Sequence, residues 1–400
     1  TDAVFGELYS WYLRNPEYRS RVQKLVQSAF AGKPEDIISQ SVAKALYGEV
    51  SPYSATRLER FAACAFAHFL QYGMKLTERV EYEFKPMDMG NVMHEALESF
   101  AEEVRKRGMK WTELTEQERN EIADRCLDNI VADYGNTVLK SSARNEYMIE
   151  RTRRILRRTV WALQKQLEQG EFQPEGFEVT FGGGRIDRVD IMEDQNKVYV
   201  KVIDYKTGNT SFDLVYLYHG LQLQLMIYLD GALRVEQKKY PDKEIIPAGV
   251  FYYNIKDPMI QEKIDADVEA VSAGLMKELK MNGLAQADPE LVYRMDSSLG
   301  SIPVAFNKDG SFRKNSSVAD RTQFAVLGRY VRTKIEKIRS SILEGDAEVS
   351  PYELGKKNAC TYCPYMTVCG FDRRLSGYEF RRLKNFSDEE LWKAFDREAE

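Results

Sequence analysis

Apolar side chains recur at helical spacing through most of the first 170 residues of the chain. Three stretches follow this period, residues 1–48, 90–108 and 115–170, with Lys, Arg and Glu at many of the positions between the apolar ones. Apolar residues three and four positions apart form one face of an α-helix, and that face packs against a core. The pattern therefore predicts amphipathic helices in all three stretches.

A fourth stretch, residues 54–72, predicts a helix of a different kind. Its body, LERFAACAFAHFLQY, is apolar and aromatic on more than one face, which is typical of a buried helix. Thr56 and Glu59 have the spacing of a capping box, in which two side chains accept backbone N–H groups at a helix start. Cys64 is expected to lie inside this helix.

The period changes near residue 177 from helical to alternating. Three runs with strand-like patterning are separated by turn-forming sequences, and they read FEVTF, RIDRVDIM and KVYVKVIDY. Such runs predict a meander of β-strands. The pattern beyond the meander predicts a helix over 217–235, a strand over 245–255, and helices over 264–281 and 317–345.

Composition excludes several classes of protein. The chain has 400 residues, of which 43% are hydrophobic and 30% charged, and its formal charge is −5. This composition suits roughly two or three folded domains and excludes an intrinsically disordered chain. No apolar run approaches the ~18–20 residues of a membrane span. The glycine-rich phosphate loop of P-loop ATPases is also absent from this sequence.

Two carboxylates and a lysine form the most informative constellation. Asp187 lies within one predicted strand, and Asp204 and Lys206 lie two residues apart on the next. Residues i and i+2 of a strand share a face, and a hairpin brings Asp187 alongside. Carboxylates placed in this way suit a hard divalent cation such as Mg²⁺, and Lys206 would orient or deprotonate a nearby water. The alternative is charges solvated at strand ends, which the alternating valines before Asp204 disfavour because they predict an inner strand.

Three further residues are weaker candidates. Gln224 and Tyr228 are one turn apart on a predicted helix, so they share a face. Taken alone, such a pair is more often part of a core or a surface. His94 lies near the start of another predicted helix, and a lone histidine is more often packed or capped than a ligand.

The cysteines indicate a metal or cluster site. Cys360, Cys363 and Cys369 lie within ten residues and supply three thiolates from one loop. Cys64 is the best-placed fourth ligand, whereas Cys126 fits the core of a helix. Four thiolates suit a [4Fe–4S] cluster or Zn²⁺, and the spacing does not choose between them.

The order of these motifs resembles that of a known family. In chain order the motifs are Cys64, Gly90-x3-His94, Gly184-x-Ile186-Asp187, Asp204-Tyr205-Lys206, Gln224-x3-Tyr228 and the three-cysteine loop. Together they resemble the RecB-like branch of the PD-(D/E)XK nucleases in its iron–sulfur form, and in particular the nuclease domain of AddB-type subunits. The resemblance implies an α/β fold with a restriction-endonuclease-like core, a central mixed sheet, large helical additions and a [4Fe–4S] staple.

The resemblance also implies roles for individual residues. The ligands of Mg²⁺ or Mn²⁺ would be His94, Asp187, Asp204 and the backbone carbonyl of Tyr205. Lys206 would be the catalytic lysine, and Gln224 and Tyr228 match a helix motif that supports DNA and the active site. The cluster ligands would be Cys64, Cys360, Cys363 and Cys369.

The family further implies a metal-dependent deoxyribonuclease, an exonuclease acting mainly on single strands. Its members work with an AddA-like helicase–nuclease subunit in double-strand-break repair in the bacterial cytoplasm. Residues 1–50 would be the tail of an upstream helicase-like region, and residues 51–385 the nuclease domain, with its sheet core at about 175–256. Residues 386–400 would be a charged tail.

Two other functions remain open at this point. One is a non-catalytic module that clamps DNA and docks the partner protein, in which a cluster only stabilises the fold. The other is a stand-alone iron–sulfur nuclease of the CRISPR-adaptation type. The complete set of Asp187, Asp204 and Lys206 disfavours the first, and the length of the chain disfavours the second.

DNA binding requires cations on one surface. Arg151, Arg154 and Arg158 are spaced to share one face of a helix, and we expect this stripe to guide a single strand. A solvated helix face is the alternative.

Overall fold

A computed structural model of the chain describes residues 2–30, 37–48, 54–77, 86–133, 142–182, 184–260 and 267–399. The chain divides into two compact units. The first, here called the cysteine unit, consists of Thr1–Val50, Arg60–Thr77 and Arg339–Asn385. The second, here called the sheet unit, consists of Ser51–Glu59, Glu78–Ile338 and Phe386–Glu400.

The described residues form both helices and strands. The helices are α1 (Asp2–Arg14), α2 (Pro16–Phe30), α3 (Gln40–Tyr47), α4 (Ala55–Ala63), α5 (Ala65–His68), α6 (Pro86–Lys106), α7 (Glu116–Asp133), α8 (Ala143–Leu167), α9 (Leu214–Tyr218), α10 (Gln224–Lys239), α11 (Val268–Glu278), α12 (Pro289–Met295), α13 (Arg321–Glu344), α14 (Met366–Cys369) and α15 (Asp388–Ala399). The strands are β1 (Gln173–Phe181), β2 (Gly184–Asp194), β3 (Lys197–Lys206), β4 (Glu244–Asn254), β5 (Asn282–Gln286), β6 (Val318–Ala319), β7 (Tyr352–Leu354), β8 (Lys357–Asn358) and β9 (Arg381–Arg382).

The sheet unit is built around a mixed sheet whose strand order follows the chain from β1 to β6. β1, β2 and β3 form an antiparallel meander, and β4 runs parallel to β3. β5 is antiparallel to β4, and β6 is parallel to β5. The predicted α/β fold with a mixed sheet is therefore confirmed. The sequence pattern did not predict β5 and β6, which are too short to show a clear alternation.

Helices cover both faces of this sheet. α6, α7 and α8 pack on one face through a core that includes Phe100, Leu163 and Tyr205. Successive residues of β3 point to opposite faces, so Val202 and Asp204 point away from that core. α10 contacts β2, β3 and β4 on the second face. The predicted carboxylate on β3 consequently lies under α10.

The helical predictions for the amino-terminal half are confirmed in the described residues. α1, α2 and α3 lie in the stretch 1–48, α6 covers most of 90–108, and α7 and α8 lie in 115–170. Residues 31–36 and 134–141 of these stretches lie outside the described residues. None of the helices that the structure describes is both long enough and apolar enough to span a membrane.

The single helix predicted over residues 54–72 is wrong, because the helix is broken at Cys64. α4 ends one residue before it, Cys64 has extended backbone angles (φ −166°, ψ 118°), and α5 begins after it. The backbone N–H of Phe66 donates to the carbonyl of Glu348 at 2.9 Å. It therefore does not donate to the carbonyl four residues earlier, as it would in a continuous helix. A π-helical turn then covers Phe69–Gly73.

The capping box predicted from Thr56 and Glu59 is also wrong. α4 begins at Ala55, so the third helical position is Arg57, and Glu59 lies two residues beyond it. The backbone N–H of Arg57 donates to the Oγ of Ser54 at 3.4 Å, which makes Ser54 the cap. The carboxylate of Glu59 is thereby left for contacts elsewhere in the sheet unit.

The helix predicted over 217–235 is two helices. α9 ends at Tyr218 and α10 begins at Gln224. Gly220, between them, has a φ of +78°, a left-handed conformation that glycine adopts without steric cost and that commonly ends helices. The interruption places Gln224 in the first turn of α10, where backbone N–H groups have no partner within the helix.

The stretch 386–400, expected as a charged tail, contains a packed helix. Leu391 and Phe395 of α15 are buried. The ring of Phe395 contacts those of Tyr218 and Tyr330, with centroids 5.5 Å and 4.8 Å away. The helical spacing of these apolar residues is difficult to see in the sequence, because only one narrow face of the helix is apolar and most other positions are charged.

We expect Phe395→Ala to lower the free energy of unfolding of the sheet unit by about 3–5 kcal/mol, because it leaves a cavity among packed aromatic rings. Urea denaturation followed by circular dichroism measures this. Lys393→Ala, on the exposed side of the same helix, is the control and should change the free energy by less than about 0.5 kcal/mol. Equal effects of the two substitutions would contradict the packing of α15.

Candidate active site

Strand register brings the predicted carboxylates together. Arg188 of β2 pairs with Ile203 of the antiparallel strand β3. The residue before Arg188, Asp187, and the residue after Ile203, Asp204, are therefore neighbours, and they lie on the other face of the sheet from Arg188 and Ile203. Asp204 and Lys206 share that face of β3, and the Lys206 Nζ lies 2.6 Å from the Asp204 Oδ2. The arrangement that the strand spacing predicts is therefore present in the structure.

Asp187 is held by two other elements. Its Oδ2 accepts the backbone N–H of Tyr205 at 2.7 Å. The Nδ1 of His94, on α6, lies 3.4 Å from the same oxygen. Spacing alone made His94 a weak candidate and the family resemblance made it a metal ligand, and the structure brings it to the carboxylates. Of Tyr205, the structure shows a backbone N–H that orients Asp187, and the role of its carbonyl stays a prediction.

Asp204 is buried beside a second carboxylate. It is 1% exposed, and its Oδ1 has no hydrogen-bond partner among the described residues. Burial, followed by the charge of Asp187, raises the pKa of Asp204 to about 7, although Lys206 opposes the rise. A buried carboxylate oxygen with no partner is costly, and a cation placed against it would remove the cost.

Glu178 is a further member of the site, and no sequence motif indicated it. Its carboxylate is buried, pairs with Arg185 and lies 3.7 Å from the His94 Nδ1. Its φ is +49°, an uncommon conformation for a residue with a side chain, and such strain is often found at functional sites. The register of the β1–β2 hairpin, which places Glu178 opposite Asp187, is the signal that could have found it.

His94 lies between two carboxylates. Burial lowers its pKa, but hydrogen bonds and charge from Asp187 and Glu178 outweigh burial and raise the pKa to about 10. Without a cation, these carboxylates hold a proton on the imidazole. The ligand atoms of His94, Glu178 and Asp187 all lie within 4.8 Å of one another, so they could share one ion.

The donor atoms of this cluster fit a divalent cation. Carboxylate oxygens with space for water suit Mg²⁺, and a mixed set of oxygen and imidazole nitrogen suits Mn²⁺ as well. The unpartnered Oδ1 of Asp204 and the negative charge of the neighbouring Asp187 both favour a cation at this point. We call His94, Glu178, Asp187, Asp204 and Lys206 the active-site cluster.

α10 adds polar side chains above Lys206. The Lys206 Nζ donates to the Oε1 of Gln224 at 2.8 Å, and the Gln224 Nε2 donates to the hydroxyl of Tyr228 at 2.9 Å. The ring of Tyr252 lies below the ammonium, 5.5 Å from Nζ to the ring centroid. Gln224 and Tyr228 therefore share a face, as predicted, and that face points at the lysine.

The four predicted cluster cysteines come together in the cysteine unit. Cys64, Cys360, Cys363 and Cys369 line one cavity. Burial, followed by the neighbouring thiols, raises the pKa of Cys360 to about 12. Crowded thiols of this kind are a donor set for a [4Fe–4S] cluster or Zn²⁺. Cys126 is buried in the core of the sheet unit, as predicted.

The arginine stripe lies on α8, but its members differ in their surroundings. Arg151 is exposed. The Nε of Arg154 donates to Asp257 at 2.6 Å, and Arg158 lies over the ring of Trp161 at 5.3 Å from its centroid. One guanidinium is thus already paired with a carboxylate, which reduces the charge available for phosphates.

Known proteins resemble this chain along its whole length. Residues 52–370 match the family described as the PD-(D/E)XK nuclease superfamily. A Lachnoclostridium phytofermentans protein, named as a subunit of an ATP-dependent helicase/deoxyribonuclease, is 41% identical over 421 residues, covering 99% of this chain and 36% of that protein. Proteins of the same name from Thermoanaerobacter sp. and Clostridium acetobutylicum are 34% and 33% identical and cover 100% and 99% of this chain. The chain spans 37% and 36% of those two proteins, so it corresponds to little more than a third of each relative.

We expect Mg²⁺ at about 100 times its Kd to stabilise the folded chain by about 2.7 kcal/mol, because the ion binds only the folded carboxylates. Asp187→Asn should abolish this stabilisation while keeping an oxygen for the Tyr205 N–H. Thermal melting with and without Mg²⁺ measures the effect. Asp242→Asn, in an exposed turn, is the control and should keep the full response. An unchanged response in Asp187→Asn would show that the ion binds elsewhere.

Proposed function

Because the chain belongs to the PD-(D/E)XK nuclease superfamily, we propose that it hydrolyses phosphodiester bonds of DNA at the active-site cluster. The observation that carries this proposal is the Lys206 ammonium 2.6 Å from the buried carboxylate of Asp204, with Asp187 beside it. Burying two carboxylates costs free energy, and a module with a purely structural role would gain nothing from that burial. A hydrolase needs both the carboxylates and the lysine at one point.

The residues of the cluster have distinct parts in the reaction. Asp187, Asp204 and His94 would hold Mg²⁺ or Mn²⁺, with the carbonyl of Tyr205 as a further ligand. The bound cation would supply a more acidic water and offset the charge of the phosphate. Lys206 would orient the attacking water and stabilise the negative charge that develops on the phosphate in the transition state.

Gln224 and Tyr228 would support Lys206 and contact the substrate. The Gln224 Oε1 accepts from Lys206, which limits the directions in which the ammonium points. The Tyr228 hydroxyl accepts from Gln224 and keeps the amide in one orientation. An ammonium held in this way loses little freedom when the substrate binds, and that favours catalysis.

We further propose that this nuclease works within a larger assembly. The relatives named as helicase/deoxyribonuclease subunits are nearly three times longer than this chain, which matches only a part of them. By likeness to them, residues 51–385 would form an AddB-type nuclease domain, and residues 1–50 the end of a helicase-like region. The partner would be an AddA-like subunit, and the substrate single-stranded DNA from broken ends in the bacterial cytoplasm.

The DNA path proposed from the sequence includes Arg151, Arg154 and Arg158. Phosphates are bound through cations, and arginines at helical spacing offer cations on one surface. Arg154 would exchange its contact with Asp257 for a phosphate.

A [4Fe–4S] cluster is our proposal for the cysteine cavity. The four thiols come from two distant parts of the sequence, α4–α5 and the loop around α14, and all of them border one space. A shared cluster would tie these parts of the cysteine unit together, and its loss would release them.

We expect the parent chain with Mg²⁺ to cleave end-labelled single-stranded DNA faster than duplex DNA. Asp204→Ala should abolish cleavage, because it removes the carboxylate that contacts Lys206. Lys206→Ala should lower the rate roughly 10²–10³-fold, because charge in the transition state loses its partner. Gel analysis of the products measures both effects.

Asp242→Asn is again the control and should cleave like the parent. Cleavage by purified Asp204→Ala would refute the assignment of the active site. Failure of the folded parent to cleave would favour the alternative of a non-catalytic module that clamps DNA.

We expect the purified chain to be brown and to contain about four iron and four sulfide per molecule. Cys363→Ala should lose the colour and melt at a lower temperature, whereas Cys126→Ala should keep the iron content. Metal analysis and visible absorption measure these properties. A colourless chain that contains zinc would contradict the iron–sulfur proposal.

A further inference from the structure

Glu59 makes contacts that no part of the proposed reaction uses. It lies in the middle of α4, and its Oε1 accepts two backbone N–H groups, from Leu223 at 2.7 Å and from Gln224 at 2.9 Å. Burial raises the pKa of Glu59 to about 7, against the opposing effect of these two hydrogen bonds. Burial of this carboxyl group costs free energy, and its two hydrogen bonds are well defined. Both observations indicate that Glu59 has a specific role.

The two N–H groups belong to the first turn of α10. The first N–H groups of a helix have no partner within it, and a side chain at the cap position usually satisfies one of them. Leu223 holds the cap position of α10 and has no side-chain oxygen to offer. Glu59 supplies that oxygen from a separate helix, 164 residues earlier in the chain.

The same turn holds the lysine of the active-site cluster. Gln224 binds Glu59 through its backbone N–H and Lys206 through its side-chain Oε1, the latter at 2.8 Å. A single residue thus joins the capping carboxylate to the ammonium. If the first turn of α10 shifts, the amide that accepts from Lys206 shifts with it.

We propose that Glu59 is a positioning residue, whose two hydrogen bonds fix the first turn of α10 and thereby the Gln224 amide that orients Lys206. This inference rests on the proposed nuclease function. Glu59 acts through hydrogen-bond geometry, so the oxygen and its reach matter more than its charge. A misplacement of about 1 Å at a reacting group can lower a rate ~10²-fold, so a small shift of α10 is enough.

Two conservative substitutions separate reach from charge. Glu59→Gln keeps the length and an acceptor oxygen but removes the charge. Glu59→Asp keeps the charge but shortens the side chain by one methylene, so its oxygen does not reach both N–H groups. The geometry predicts that Glu59→Gln retains most of the parent kcat, whereas Glu59→Asp loses roughly 10–100-fold with little change in KM for DNA.

Asp288 provides a matched control on another helix of the sheet unit. Its Oδ1 accepts two backbone N–H groups of α12, from Glu290 at 3.0 Å and Leu291 at 3.2 Å. Asp288→Ala removes the same number of capping hydrogen bonds away from Lys206. It should lower the melting temperature and leave kcat unchanged, which separates positioning from a general loss of helix stability.

Amide hydrogen exchange of Leu223 and Gln224 tests the contact independently of activity. We expect both N–H groups to exchange slowly in the parent and in Glu59→Gln, and faster in Glu59→Asp. A parent that shows this exchange pattern without cleaving DNA would refute the proposed function and leave the contact standing. Unchanged exchange in Glu59→Asp, or a kcat lower in Glu59→Gln than in Glu59→Asp, would overturn the positioning role.

Discussion

Two carboxylates side by side on one face of a sheet are the constraint on which the rest of the active site depends. The antiparallel register of β2 and β3 sets Asp187 next to Asp204, and burial makes their mutual repulsion strong. The positions and pKa values of the neighbouring groups reflect this excess of negative charge. The charges of Asp187 and Glu178 raise the pKa of His94, and the ammonium of Lys206 lies against Asp204. The same excess of negative charge is what makes a divalent cation bind favourably here.

The opposite face of the same strands shows what a balanced set of buried charges looks like. Asp190 accepts from Arg188 at 2.5 Å and from Lys201 at 2.9 Å, so both of its oxygens are satisfied. Protein cations therefore occupy both carboxylate oxygens of Asp190, and neither oxygen is left for a metal ion. Asp204, by contrast, keeps one oxygen without a hydrogen bond among the described residues. The balance of charge around the carboxylate therefore distinguishes the structural network from the binding site on the other face of the same strands.

One short segment of the chain contributes to both units. α4 begins in the sheet unit, where Glu59 caps α10, and the chain then continues into the cysteine unit, where Cys64 lines the cysteine cavity. In each role the side chain differs from what its local sequence predicts. Glu59 leaves the capping box that its spacing predicts, and Cys64 leaves the helix that its surroundings predict. In both places a partner distant in sequence competes successfully with the local preference.

The sequence by itself determined what depends on short spacings. Alternation along β3 placed Asp204 and Lys206 on one face, and helical spacing placed Gln224 and Tyr228 on another, because these periods follow from backbone geometry alone. Tertiary structure decided what depends on partners far away in the chain. The approach of Glu178 to His94, the break at Cys64 and the burial of Phe395 all belong to this group. No local pattern specifies which distant N–H, carboxylate or ring will meet a side chain, since only the packing of complete elements brings them together.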